Sequence, residues 1–269
     1  MRVKPGAVGN ILAQYGVPDG WEPKLVGDLA RIIGGATPDT DVRPYWTGGT
    51  IPWATPTDIT KNNTKWISDT ADHLTELGLN SCSATLLPVG TILYTSRATI
   101  GAKAIAATSM TTNQGFASFI VNGQTDGEFL FYYLDLLTPV FTRLGAGTTF
   151  LEVSKREMRR VQCALPPLPE QKSIARILDA VDVAIERTRT AIATAEKLKR
   201  GLMQQALNRC SKAKSPVERL DKVAEIGSGV TLGKDLTGSA TIELPYLRVA
   251  NVQDGFLDLN EIKTVKINP

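Results

Sequence analysis

Asp254, Glu261 and Lys263 lie in one short stretch, and two carboxylates with a lysine are what a nuclease centre uses to hold a divalent ion and activate water. A polar hairpin with alternating charged faces has the same composition, so the set alone does not select chemistry. Ser228-Gly229-Val230-Thr231-Leu232-Gly233-Lys234-Asp235 approaches a phosphate-cradling loop, but Ser228 replaces its first glycine and Asp235 the hydroxyl that would hold magnesium. It reads as a glycine-rich turn, and no glycine fingerprint of a dinucleotide or methyl-donor fold follows a strand. The single histidine, His73, excludes a two-histidine metal site, and its polar setting, Asp72-His73-Leu74, reads as a solvated side chain. Cys82, Cys163 and Cys210 are far apart and odd in number, which disfavours a disulfide framework and a zinc cluster.

With catalytic patterns this sparse, the elements carry more information. The 269 residues are 42% hydrophobic and 21% charged, an ordinary globular composition with room for one large or two small domains. Thirty basic against 27 acidic residues leave a net charge of only +3, so any contact with a polyanion must come from local clusters. Even the apolar stretch Phe129 to Leu137 is broken by Asp135, and MRVKPGAVGN lacks a signal-peptide core, so the expected location is cytoplasmic.

The chain also repeats itself. Leu29-Ala30-Arg31-Ile32-Ile33-Gly34-Gly35-Ala36-Thr37 matches Val223-Ala224-Glu225-Ile226-Gly227-Ser228-Gly229-Val230-Thr231 at an offset of 194. Ile51-Pro52-Trp53 through Asp58-Ile59 matches Leu244-Pro245-Tyr246 through Asn251-Val252 at 193. A period this long means duplicated domains, with the second copy only begun before Pro269; a complete one needs roughly 134 more residues. Lys61, Ser68 and Thr70 stand in the first copy where Asp254, Glu261 and Lys263 stand in the second, so the repeat does not preserve the nuclease-like set.

Between the copies, Glu170 to Asn208 contain no proline and one glycine, and Ile174, Leu178, Val181, Ile185, Ile192, Ala195, Leu198, Leu202 and Ala206 recur at helical spacing. This spacing predicts a helix about 58 Å long with a coiled-coil-type stripe that requires a partner. The region from Trp21 to Leu165 reads as mixed α and β, with strands near Ile51–Ala54, Thr91–Thr95 and Ala117–Val121 and a helix over Gly127–Leu137.

Leu165-Pro166-Pro167-Leu168-Pro169-Glu170-Gln171-Lys172-Ser173-Ile174-Ala175-Arg176-Ile177-Leu178-Asp179 resembles the signature at the entry to the long helix of type I restriction-modification specificity subunits. The Ile51-Pro52-Trp53 strand with Asp58-Ile59, the Ser96–Gly101 loop, Thr112-Asn113-Gln114-Gly115 and Gly147-Thr148-Thr149 support the likeness in the same order. The resemblance implies an α+β chain: a DNA target-recognition domain over residues 1–169, a dimerising spacer helix over 170–210 and a partial second recognition domain over 211–269. It implies no chemistry and no cofactor in this chain. Its implied partners are double-stranded DNA, methyltransferase subunits and a restriction (translocase) subunit, which bring S-adenosylmethionine, ATP and Mg2+. Two other readings stay open, a metal-dependent nuclease and an interaction protein that sequesters methyltransferase subunits without reading DNA.

For DNA contact the base-reading candidates are Arg97, because arginine can address guanine, and Asn113 and Gln114, because amides can address adenine through paired hydrogen bonds. Thr55, Thr57 and Thr148 are candidates for phosphate or base-edge contacts, as is Lys103 beside the Arg97 loop. Lys155, in the Lys155, Arg156, Arg159, Arg160 cluster, is the phosphate-contact candidate, although such a cluster is also what a solvated face carries. Self-association is assigned to Ile174, Leu178, Val181, Ile185, Ile192, Leu198 and Leu202, through which two identical chains would read an interrupted palindrome.

Overall fold

The computed structural model describes residue 12 and residues 16–146, 151–212, 218–225, 242–253 and 256–267. They fall into two compact units, up to residue 195 and from residue 196. The first begins with β1 (Glu22–Leu25), the short helix α1 (Val26–Leu29), β2 (Ala30–Gly34), β3 (Ile51–Ala54) and α2 (Pro56–Lys61). Then come β4 (Trp66–Ile67), β5 (Asp72–Leu74), α3 (Glu76–Asn80), β6 (Ile92–Tyr94), β7 (Lys103–Ala106), β8 (Thr111–Thr112) and β9 (Ala117–Val121). Helices α4 (Gly127–Leu144) and α5 (Lys155–Arg160), strand β10 (Gln162–Leu165) and the long helix α6 (Leu168–Lys212) follow.

A five-stranded sheet in the order β2-β9-β6-β7-β4 lies at the centre, accompanied by a three-stranded sheet, β5-β3-β8. Alternation along β6 divides the core in two: Ile92 and Tyr94 join Ile32, Ile105, Phe119 and α4, while Leu93 joins Ala54, Ile59, Met110 and Phe116. Both faces are therefore covered, and all three residues of β6 are buried. Antiparallel pairing of β1 with β10, from Glu22 opposite Leu165 to Leu25 opposite Gln162, brings the two ends of this region together just before α6.

The strands expected around Ile51, Thr91 and Ala117 are β3, β6 and β9. Helix α4 runs past Leu137 to Leu144, because Pro139 is accommodated on an exposed face and removes only the bond its missing N–H would make to the preceding turn. Its N-terminus is capped by Asp126, whose side chain accepts from the Phe129 N–H at 2.9 Å. The long helix begins two residues before Glu170, since Pro169 falls in the first turn, where a backbone N–H would have no partner. It ends at Lys212, which makes 45 residues, about 68 Å.

In the second unit a short helix α7 (Leu220–Val223) precedes β11 (Ile242–Tyr246), β12 (Val252–Gln253), β13 (Phe256–Leu257) and β14 (Lys263–Ile267). The repeat is visible in the backbone: α7 corresponds to α1, and the antiparallel β11–β14 pair to β3–β5. Asn251 accepts from the Arg248 N–H at 2.9 Å, as Asp58 accepts from the Thr55 N–H at 2.8 Å, so one turn-closing bond recurs at the 193-residue offset.

Candidate functional site

Strands β3 and β8 run parallel, Trp53 opposite Thr111 and Ala54 opposite Thr112, so the residues leaving both strands emerge at the same edge. The Asn113 N–H donates to the Ala54 carbonyl at 3.0 Å, setting Asn113 beside Thr55. The chain leaving β6 reaches the same place: Thr95 bridges Phe116, and the Ser96 N–H donates to the Gly115 carbonyl at 2.8 Å. Arg97, Asn113 and Gln114, picked from the sequence separately, consequently line one cavity of about 290 Å³ with Pro56, Ala98 and Gly115.

The Arg97 loop is held from outside by residues 151–153. The Ala98 N–H donates to Leu151 at 2.9 Å and the Val153 N–H to Ser96 at 3.0 Å, with Arg97 bridging Glu152 between them. Ala98 adopts φ of 61°, the left-handed region that costs a non-glycine residue strain and commonly marks a functional loop. Across this bridge the Arg97 Nε lies 3.7 Å from a Glu152 carboxylate oxygen, with both side chains about half exposed. Glu152 was not singled out in the sequence, because its partner lies 55 positions away and no local pattern links them.

The amides are partly committed. The Asn113 Oδ1 accepts from the Gly115 N–H at 2.9 Å, and the Gln114 Oε1 accepts from the Thr37 hydroxyl at 2.5 Å. Each retains an NH2 that offers donors. Thr37 is a further residue missed from the sequence, although it ends the repeated Gly34-Gly35-Ala36-Thr37 string. A Cβ on Gly35 would collide with the backbone of Thr112 and Asn113, so only glycine lets this loop lie against them. Lys155, the first residue of α5, rests its ammonium against Gly34 next to that loop.

The threonines differ. Thr57 is exposed on α2, whereas the Thr55 hydroxyl donates to Asp58 at 2.6 Å and has no second proton to give a phosphate. Burial pushes the Asp58 carboxyl up, but hydrogen bonds from Thr55 and the Ala71 N–H outweigh it and hold it below the usual aspartate value. Lys103 does not join the cavity: its ammonium pairs with Asp135 and sits 4.5 Å over the Phe131 ring, with the side chain 10% exposed. Arg159 donates to the Ile32 carbonyl at 2.5 Å while its Cβ abuts the Gly27 position. Thr148 lies outside the described residues.

On α6, Leu178, Val181, Ile185, Ile192, Leu198 and Leu202 are exposed. Ile174 differs from the rest of the stripe because it packs against the first unit's own core. Of the nuclease-like set, Asp254 lies outside the described residues and the Glu261 carboxylate is 3.6 Å from Arg248. Among the described residues no three His, Cys, Asp or Glu side chains gather as metal ligands, and no helix is long and apolar enough to cross a membrane. His73 faces the exposed Asp69 at 2.7 Å, a surface pair rather than a buried relay. Cys163 is a buried core side chain, and burial pushes its thiol up to about 12.

Residues 18–197 match the family model of the type I restriction modification DNA specificity domain. The type I restriction enzyme MjaIX specificity subunit of Methanocaldococcus jannaschii is 36% identical over 184 residues, covering 68% of this chain and 42% of that protein. The HindI specificity subunit of Haemophilus influenzae is 30% identical over 155 residues, covering 56% and 33%. The matched stretch thus spans less than half the length of these curated relatives. A chain from a structure concerned with complex assembly and conformational transition of the type I R-M system shares the fold, at a TM-score of 0.56 and 23% identity over 72% of this chain and 46% of that one.

Proposed function

The chain belongs to the type I restriction modification DNA specificity family, and from that premise we propose that its first unit reads one half of a bipartite site in double-stranded DNA. The observation that carries this reading is the convergence of Arg97, Asn113 and Gln114 around one exposed cavity, with the Lys155 ammonium beside the adjoining loop. Arginine and amide side chains are the groups that pair with base edges, and a nearby ammonium is suited to a phosphate. In this reading the chain performs no chemistry. It directs methyltransferase subunits, which use S-adenosylmethionine, and a restriction subunit, which uses ATP and Mg2+, to the site. The exposed stripe on α6 supports self-association of two chains through Leu178, Val181, Ile185, Ile192, Leu198 and Leu202, so that two identical readers face an interrupted palindrome.

Binding titrations at several salt concentrations test the reading. Arg97→Ala is expected to weaken the cognate half-site by about 1–3 kcal/mol and to relax one base position. Lys155→Ala is expected to weaken all sequences alike and to flatten the salt dependence, as loss of one phosphate contact does. Equal losses for Arg97→Ala on cognate and scrambled duplexes would remove this surface from base reading. For the helix, Ile185→Asp with Ile192→Asp places charges in the seam and should turn a sedimenting dimer into a monomer. An unsubstituted chain that is monomeric at tens of micromolar, alone and with methyltransferase subunits, would refute the pairing.

A further inference from the structure

We propose that Glu152 is a specificity-determining residue which, together with Arg97, reads a single G·C pair; this rests on DNA reading by the first unit and states what one part of that surface recognises. The two residues are set by backbone, not by chance approach of long side chains. They face each other across an isolated antiparallel bridge, with the Ala98 N–H to Leu151 bond on one side and the Val153 N–H to Ser96 bond on the other. Val153 is buried, which anchors the segment bearing Glu152, and the left-handed Ala98 keeps the opposing loop in place.

Stability does not account for the pair. At 3.7 Å and half exposed, an ion pair contributes little to folding. On a surface that meets a polyanion, an unneeded carboxylate repels phosphates and weakens every complex. Besides orienting Arg97, a carboxylate there can accept from a base-edge donor, and in the major groove the donor addressed by a carboxylate is the 4-amino group of cytosine. Arginine addresses O6 and N7 of guanine, cytosine's partner. Guanine O6 and cytosine N4 are themselves joined by an N–H···O bond, so they lie about 2.9 Å apart. The Arg97 Nε and a Glu152 carboxylate oxygen, 3.7 Å apart, set a donor and an acceptor side by side with polarity opposite to that of the O6 and N4 pair. The amides of Asn113 and Gln114 line the same cavity as Arg97 and offer further donors to the neighbouring base edge.

The test uses the full chain. Selection from a randomised duplex pool defines the half-site, and repeating it with Arg97→Ala identifies the base pair whose preference relaxes. At that pair 7-deazaguanine removes the N7 acceptor, and 2-pyrimidinone in place of cytosine removes the 4-amino donor. The 2-pyrimidinone duplex is expected to bind the unsubstituted chain about tenfold more weakly than the parent duplex, and to be distinguished much less by Glu152→Ala. Glu152→Gln, which keeps an accepting oxygen, should retain part of the discrimination. The 7-deazaguanine penalty should persist in Glu152→Ala and vanish in Arg97→Ala. Equal 2-pyrimidinone penalties for the unsubstituted chain and Glu152→Ala, or a relaxed pair other than G·C, would overturn the role of Glu152 while leaving DNA reading in place. No sequence enrichment by the unsubstituted chain would overturn both.

Discussion

The first turns of α6 and the turns that follow carry the same apolar periodicity in opposite surroundings. At the base, Gln171 is fully buried: its Nε2 donates to the carbonyls of Gln124 at 3.0 Å and Pro166 at 2.8 Å, and its Oε1 accepts from the Asp126 N–H at 2.8 Å. Ala175 is buried and Ile174 packs on the core, while Asp179 takes the Lys65 ammonium and Asp182 accepts from the Tyr132 hydroxyl at 2.8 Å. Beyond Asp182, from residue 183 to 209, every side chain is exposed. There helix-forming residues and local pairs, such as Arg189 with Glu186 at 3.9 Å, maintain the helix without tertiary packing. A period thus specifies a face but not what covers it: along this stripe the base packs on the first unit's core and the residues beyond are exposed.

The strongest way to break the comparison is Gln171→Leu. It fills similar volume but leaves the Asp126 N–H and the carbonyls of Gln124 and Pro166 without their partner, so it should destabilise the first unit by about 3 kcal/mol. Urea unfolding at low protein concentration reads this as a lower midpoint with an unchanged slope. Ile192→Ala, on the exposed part, should stay within about 0.5 kcal/mol in the same experiment. Similar losses from both substitutions would show that the distal helix is packed in the single chain.

This contrast also marks what the sequence could convey. The helix was legible because proline-free periodicity is a local signal, and so were β3, β6 and β9. The gathering of Arg97, Asn113 and Gln114 was partly legible, since each follows or precedes a recognisable strand and carries base-reading chemistry. Lys103 was not legible as a structural lysine: pairing with Tyr94 in β6 turns it beneath α4, onto Asp135 and Phe131. Ile174 has the same spacing as Ile185, and only the fold of residues 22–165 decides that one is packed at home. Glu152 and Thr37 became visible through backbone bridges between distant segments, which local composition does not encode.

A second substitution pair sharpens the boundary along the stripe. Ile174 is half-buried against the core, so Ile174→Ala should cost about 1–2 kcal/mol of unfolding free energy at any protein concentration. Ile185→Ala should leave the dilute chain unchanged and instead raise the concentration at which dimers form, measured by sedimentation. If Ile174→Ala alters dimerisation and not unfolding, the base of the helix belongs to the interface after all.

A smaller loss than those at Gln171 and Ile174 concerns the ion pairs at the base. Lys65 lies 2.9 Å from Glu128, also pairs with Asp179, and stands 5.5 Å over the Tyr132 ring, with its side chain 11% exposed. Burial alone would lower its pKa, but the two carboxylates outweigh burial and leave it above the usual lysine value of 10.5. A group whose folded pKa is raised stabilises fully below its unfolded value, and that contribution is lost as pH rises through the folded value. Tyr132 acts in the same direction, since burial and the bond to Asp182 raise its hydroxyl above 10.0. Both carboxylates regain water when Lys65 is removed, so Lys65→Met should cost only about 1 kcal/mol near neutrality. Chemical unfolding followed across pH should show a constant gap between the two proteins up to about pH 10, closing above it as the native lysine loses its charge. A gap that stays constant through that alkaline range would mean that Lys65 holds the helix by packing and not by charge.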